Sequence, residues 1–382
     1  MNNNNSKFNS FDKEQWKYTN INQFKHFKYD SPLKNQSITQ NKSDIQINNG
    51  KLISNKSKNI IADDINNIFN ENLYNIQNIN NIIDSNQSNP FIKINSENYN
   101  NGTFIYIKDN SSFENPIVIN NYISKNKKNN FLNEKILILI GNNVNVQLIF
   151  KEHIYNQCNL NTVIQIYIGD NSIIDFINDS EKPKTTQICN LFADINLSSE
   201  LNLFPININS QLIKRNYFIN LNKNHSQCHI YSLNLLKEDN HMDNFININH
   251  SAKHTISTTY QKNILTDKSK CIFYAKAKIC KNSSNSEVFQ INNNLVLSDY
   301  ATVHSNPQLE IHNNDVKCSH GSTTGELDEN ILFYMRSRGI NLLDCKKLIL
   351  SGFADSIINN IKNELTKNSI KQTINNWLLD VN

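Results

Sequence analysis

Glycine and proline are both scarce, at 8 and 6 of 382 residues. That excludes collagen-like, Gly/Ser-linker and Pro-rich architectures. No run of about 18 apolar residues occurs, so no segment reads as a membrane-spanning helix. The opening stretch, Met1 to Lys17, lacks the apolar core of a secretory leader. Neither sign of charge dominates: 38 Lys and Arg face 34 Asp and Glu, for a net +4. The field expected of a nucleic-acid or membrane-surface binder is missing. Seven cysteines (158, 189, 228, 271, 280, 318 and 345) are an odd number without regular spacing, which argues against a secreted disulfide framework. The expectation is a soluble, cytoplasmic protein with reduced thiols.

Two catalytic signatures are missing as well. Gly321 and Gly325 bracket only Ser322-Thr323-Thr324, and Glu326 follows where a phosphate loop needs lysine. There is no G-x-S-x-G elbow. Acidic residues are scattered rather than clustered as on a polysaccharide-cleaving coil. The chain reads as a non-enzyme.

Asparagine and isoleucine are over-used. AT-rich codons favour both, a simpler explanation than a structural demand for asparagine ladders. Residues 1–90 are polar and irregular, with helical spacing over Phe11–Phe27 (Trp16, Ile21, Phe24) and Asn59–Ile83 (Ile60, Ile61, Ile65, Ile68, Leu73). The Asn-rich Ser31–Lys58 between them reads as a loop or a partly disordered segment. From residue 91 to 325 short apolar runs are broken by turn residues. Ile136–Ile140 precedes Gly141-Asn142-Asn143, and Ile164–Ile168 precedes Gly169-Asp170-Asn171, 28 residues later. Alternation after each turn predicts many short strands. A repeat of that length suits stacked coils and a sandwich equally. Residues 326–382 read as a helical domain.

The densest chemistry lies at Asn306–Ile340. Leu309 and Ile311 alternate with polar neighbours, which predicts a strand. After the turn at Asn313-Asn314-Asp315, Val316, Cys318 and His320 share one face. A thiol and an imidazole are ligand types for iron, zinc or iron–sulfur species, but two of them make only half a site. Gly321–Gly325 reads as a tight turn. Asp328 is an N-cap, Gly339 a left-handed stop, and Ile331, Tyr334 and Met335 predict a buried helix face. Asn341 caps a second helix carrying Cys345, Leu348, Ile349, Gly352, Phe353 and Ile357. Asn368 or Ser369 caps a third with Ile370, Ile374, Trp377 and Leu378. Elsewhere, His225, Cys228 and His229 form an H-x-x-C-H cluster without a second ligand pair at finger spacing. His250 and His254 are four apart without a zincin's glutamate.

Several of these residues also carry a family resemblance. Pro307-Gln308-Leu309-Glu310-Ile311, Asp315 to Gly321, Gly325, Leu327-Asp328, Phe333-Tyr334 and Arg336 to Ile340 resemble the C-terminal signature of the SufB/SufD family of iron–sulfur cluster assembly scaffolds. Asn293 to Ser298 and Glu14 to Thr19 resemble it too. Cys318-Ser319-His320-Gly321 matches the SufD branch. Tyr274-Ala275, Thr324 and the polar segment 281–290 depart from the family pattern. The resemblance implies a right-handed parallel β-helix core with flanking helices. It also implies pairing with a SufB-like paralogue through strands bearing Leu309, Ile311 and Val316. Further, it implies docking of a SufC-like ABC ATPase on the helical tail, with Leu348 and Phe353 as anchors. Cys318 and His320 would then meet a transient iron–sulfur cluster or iron shared with the partner subunit.

Overall fold

The computed structural model describes residues 8, 11–28, 43–71, 89–99, 101–123, 130–154, 158–181, 185–208 and 211–380. Its centre is a parallel β-solenoid made of two facing sheets. Strands β1 (Ile45–Asn48) and β2 (Lys51–Asn55) form an antiparallel pair, and β3 (Ile60–Asp64) runs antiparallel to β4 (Asn101–Ile107). These strands close the N-terminal end. The coils then alternate between the sheets. One sheet adds β5 (Ile117–Ile123), β7 (Asn145–Ile154), β9 (Ile173–Glu181), β11 (Glu200–Ile208), β13 (Gln227–Leu236), β15 (Ile256–Leu265), β17 (Ser286–Val296) and β19 (Val316–Gly325). The other adds β6 (Leu132–Ile140), β8 (Asn159–Ile168), β10 (Thr186–Ile195), β12 (Leu212–Leu221), β14 (His241–His250), β16 (Lys270–Ile279) and β18 (Thr302–Ile311). Consecutive strands therefore lie in opposite sheets, and this topology decides for stacked coils over a sandwich.

The turns explain part of the asparagine excess. At one corner Asn143, Asn171, Ser198, His225, His254 and Asn285 all have positive φ, between 52° and 60°. Asparagine tolerates this left-handed region better than most residues. Close approach of the coils explains the glycine in the turn at 169: a Cβ on Gly169 would meet the Gly141 carbonyl oxygen at 2.7 Å.

Inside the coil, Ile, Leu, Val and Phe fill a continuous apolar core. Beside it runs a file of asparagines. Asn207, Asn234, Asn263 and Asn294 are successive register partners. Asn207 donates to Asn234 (2.5 Å), Asn234 to Asn263 (2.6 Å), and Asn263 to Asn292 (3.1 Å) and Asn294 (2.5 Å). Each amide is both donor and acceptor, so an identical neighbour one coil away satisfies it. At these positions asparagine is structural, and codon bias does not account for it.

Helices pack on the outside. Helix α1 (Ile65–Glu71) and helix α2 (Pro90–Asn98) lie near the first coils. At the other end come α3 (Glu329–Ser337), α4 (Leu342–Ile358) and α5 (Glu364–Leu379). Leu350, Ile357, Ile358, Ile370, Ile374 and Trp377 join Phe204, Ile206, Leu233 and Leu235 in a second apolar cluster on the outer face of a sheet. Lys262 fastens this contact, donating to the Phe353 carbonyl at 3.0 Å and lying 4.2 Å from its ring centroid.

Several expectations change. Part of Ser31–Lys58, read as loop, forms β1 and β2, and the solenoid's strands begin before residue 91. Phe11–Phe27 is mostly turns with one 3-10 turn at Ile21–Phe24; Trp16, Ile21 and Phe24 cluster around Phe91. Leu73 and Ile83 lie outside the described residues. Gly321–Gly325 continues as strand, because backbone pairing to β17 overrides the turn residues. The last helix starts at Asn363, whose side chain accepts from Thr366 N at 2.9 Å, not at Asn368 or Ser369.

Candidate functional site

The two final strands are where the solenoid stops. Among the described residues β18 pairs only with β16, and β19 only with β17. Each leaves one backbone edge open, and Pro307 suits such an edge because it has no N–H to give. Exposure agrees: no residue of β18 or β19 is buried.

Cys318 sits opposite Val288 in the β17–β19 register, and His320 opposite Gln290. Cys318 is half-buried against Val288, Leu309 and Val316, and burial raises its thiol above the ordinary range. It is therefore a protonated thiol in this chain, not a thiolate poised to attack. His320 shares its face by strand alternation, one pair further along, and is exposed. The neighbouring interior positions are polar: Asn292 donates to Ser305 at 3.0 Å, and Asn294 to the Thr323 carbonyl at 2.8 Å. The coil thus ends as a polar mouth with a sulfur and a nitrogen donor on its rim. Among the described residues no group of three or more His, Cys, Asp or Glu could hold a metal ion. The rim carries two side chains of metal-ligating type, fewer than such a group requires.

Of the expected interface residues, Ile311 (44% exposed) and Leu348 (56%) face outward. Leu309 and Val316 are half-buried against the last coil, and Phe353 is half-buried under Lys262. Helix α3 departs from expectation. Asp328 caps it as read, accepting from Asn330 N at 2.8 Å, and Gly339 has φ +87°. Yet none of its residues is buried; Ile331, Tyr334 and Phe333 are 47%, 59% and 76% exposed. Helical spacing detects an apolar face but not whether this chain covers it. Below α3 a groove of about 240 Å³ is lined by Leu297, Leu327, Leu343, Lys346, Leu350 and Leu378.

The other histidine candidates do not assemble. Cys228 points into the apolar core, where burial raises its thiol. His229, next in sequence on the same strand, lies 3.4 Å from Gln227, and His225 stacks on His254 in the turn column at 4.8 Å between ring centroids. His250 is buried, with both ring nitrogens engaged, by Thr255 at 2.7 Å and Ser257 at 2.8 Å. Sequence reasoning missed Asn292, Asn294 and Ser305 at the mouth. Only their coil spacing marks them, and asparagine is too common here for that to stand out.

On another part of the outer face, Glu310 accepts from Lys276 (2.7 Å), Lys278 (2.8 Å) and His312 (2.9 Å). These hydrogen bonds hold its carboxyl well below the ordinary range. The group is solvent-facing and reads as an ion-pair cluster flanking the open edge.

Residues 122–353 match the family model "SUF system FeS cluster assembly, SufBD core domain". The iron–sulfur cluster assembly protein SufD of Escherichia coli K12 is 31% identical over 159 residues, covering 42% of this chain and 38% of that protein. An iron–sulfur cluster assembly SufBD family protein of Synechocystis is 26% identical over 215 residues, covering 56% and 48%. A SufD protein of Plasmodium berghei is 22% identical over 260 residues, covering 66% and 19%. The matched stretches span less than half the length of each of these relatives.

Proposed function

The chain belongs to the SufBD core family of the SUF system for iron–sulfur cluster assembly, and from that premise we propose that it is a SufD-like scaffold subunit. In this reading it pairs with a SufB-like paralogue through the open edges of β18 and β19. Iron, or a nascent iron–sulfur cluster, is the cargo assembled between the two subunits and is passed on rather than kept. His320 is the main ligand from this chain. Cys318 stands second, because burial keeps its thiol protonated until a metal or a partner's base draws the proton off.

One observation carries the proposal: a thiol and an imidazole stand on the last rung of the coil, on a strand whose outer edge no other segment among the described residues covers. An incomplete ligand set beside an unpaired edge is the arrangement a second β body would complete. A SufC-like ATPase docking on α3 and α4 is supported by Ile331, Phe333, Tyr334 and Leu348, which leave an apolar patch uncovered. Any nucleotide-driven step is supplied by that partner, since this chain has no phosphate loop.

The test is reconstitution with SufB-like and SufC-like partners. His320→Ala is expected to leave the co-purified complex intact and to lower cluster delivery to an apo-acceptor at least tenfold. Wild-type delivery by that variant, or failure of the wild-type chain to co-purify with either partner, counts against the reading.

A further inference from the structure

A deeply buried positive charge of the coil interior lies away from the mouth. Arg215 stands on β12 between Cys189 of β10 and Asn244 of β14 in the sheet register. Cys189 and Tyr217, on the same face, belong to the interior apolar core, so its side chain points into the coil. The residue is 2% exposed, and neither Nη1 nor Nη2 meets hydrogen-bond geometry with any acceptor; the neutral Tyr217 hydroxyl lies close enough to feel its charge but cannot balance it. It takes part in none of the ion pairs found among the described residues.

That arrangement is incomplete as it stands. A guanidinium does not shed its charge in a protein. Leaving it buried and unpaired is strongly destabilising, and nearly all buried donors find an acceptor. No carboxylate among the described residues pairs with it, and the neighbouring Asn244 Oδ1, itself without a hydrogen-bond partner, is a neutral acceptor that cannot balance the charge. Burial pushes the Tyr217 hydroxyl up to about 12, so it stays a neutral phenol and a donor. The buried carboxylate of Glu152 is engaged by Gln187 at 2.9 Å. In front of Arg215 lies a cavity of about 20 Å³, walled by Asn178, Cys189, Tyr217 and apolar side chains including Ile164, Phe176 and Leu203. It has room for one water-sized particle. A tetrahedral oxyanion is too large. A water would satisfy a donor but leave the positive charge uncompensated.

We propose that this cavity is a binding site for one halide-sized monovalent anion, held by the Arg215 guanidinium with the Tyr217 hydroxyl beside it. The anion locks β10, β12 and the facing strands of the other sheet together at mid-coil. The site is independent of the cluster-assembly reading and would persist if that reading failed.

Crystals of the full chain grown or soaked in sodium bromide test it directly. The expected result is one buried anomalous bromine peak beside Arg215. In solution, the wild-type melting temperature should rise with bromide relative to sodium gluconate at equal ionic strength. Arg215→Met should abolish that rise, whereas Cys189→Ser should keep it. If Arg215→Met does not fold, Tyr217→Phe should weaken the bromide response severalfold. A water in the cavity with no bromine peak overturns the proposal. So does a bromide response equal in wild type and Arg215→Met, or one absent in wild type and gained in Cys189→Ser, which would make a Cys189 thiolate the counter-charge.

Discussion

His250 is held where protonation is costly. Its two ring nitrogens are committed to Thr255 and Ser257, and burial lowers its pKa from 6.5 to about 4. His241 is lowered to about 4 as well, first by burial and then by Lys270, Lys214 and His304, against the opposing pull of Asp243. The unfolded chain binds a proton on each as pH falls below about 6.5, while the folded chain does not until about 4. Stability is therefore full above pH 6.5 and falls as pH drops from 6.5 to 4. Between pH 7.5 and 5 each histidine should remove roughly 2 kcal/mol of folding free energy. Denaturant midpoints across that range check this. His250→Gln should flatten its share of the slope, and an unchanged slope would mean that the imidazole is protonated in the fold. This role was not legible in the sequence. His250 and His254 sit four apart, but one ends a strand facing inward and the other occupies a left-handed turn. Cys318 and His320 were legible as a pair, because two residues two apart on a strand must share a face.

At the level of elements, apolar runs and turn residues located the strands, since a coil buries one face of every strand it contains. What that pattern could not reveal was the polar file inside. Asn263 is its best-connected member: it donates to Asn292 and Asn294 and accepts from Asn234 at 2.6 Å and Gln261 at 3.1 Å. Truncation leaves a buried donor on Asn234 and buried acceptors below it without partners. Asn263→Ala should therefore cost on the order of 3 kcal/mol, more than the loss of one hydrogen bond in exchange with water. Chemical denaturation measures it. A change under about 0.5 kcal/mol would mean that water replaces the amide and that the file adds nothing. In sequence these asparagines look like the many exposed ones, and only register separates them. The same limit explains α3. Its apolar spacing was legible, and its cap and stop are as expected, but amphipathicity carries no information on which molecule covers the face.

The whole molecule has two unlike ends. At the N-terminal end β1 still runs parallel to β5, but β2 and β3 turn antiparallel, and β2 places Lys51 on its exposed side, devices that discourage edge pairing. At the C-terminal end β18 and β19 keep the direction and register of the stack, so they present an edge that a further β body could extend. The 28-residue spacing made coils conceivable, but it could not say which end stays open, because that depends on what lies beyond the last strand rather than on any residue within it. If the open end is the surface that meets a SufB-like subunit, a charge placed on it should break the pairing and spare the fold. Ile311, 44% exposed at the end of β18, is the place to put it. Ile311→Lys replaces an exposed apolar side chain and should change stability by less than about 0.5 kcal/mol. Buried against a partner, the same lysine loses its hydration, and affinity should fall at least about tenfold, some 1.4 kcal/mol. Titration of the two subunits by sedimentation, with circular dichroism melts to certify the fold, separates the two effects. Undiminished affinity in a folded variant would move the interface off this edge and count against the shared site proposed at Cys318 and His320.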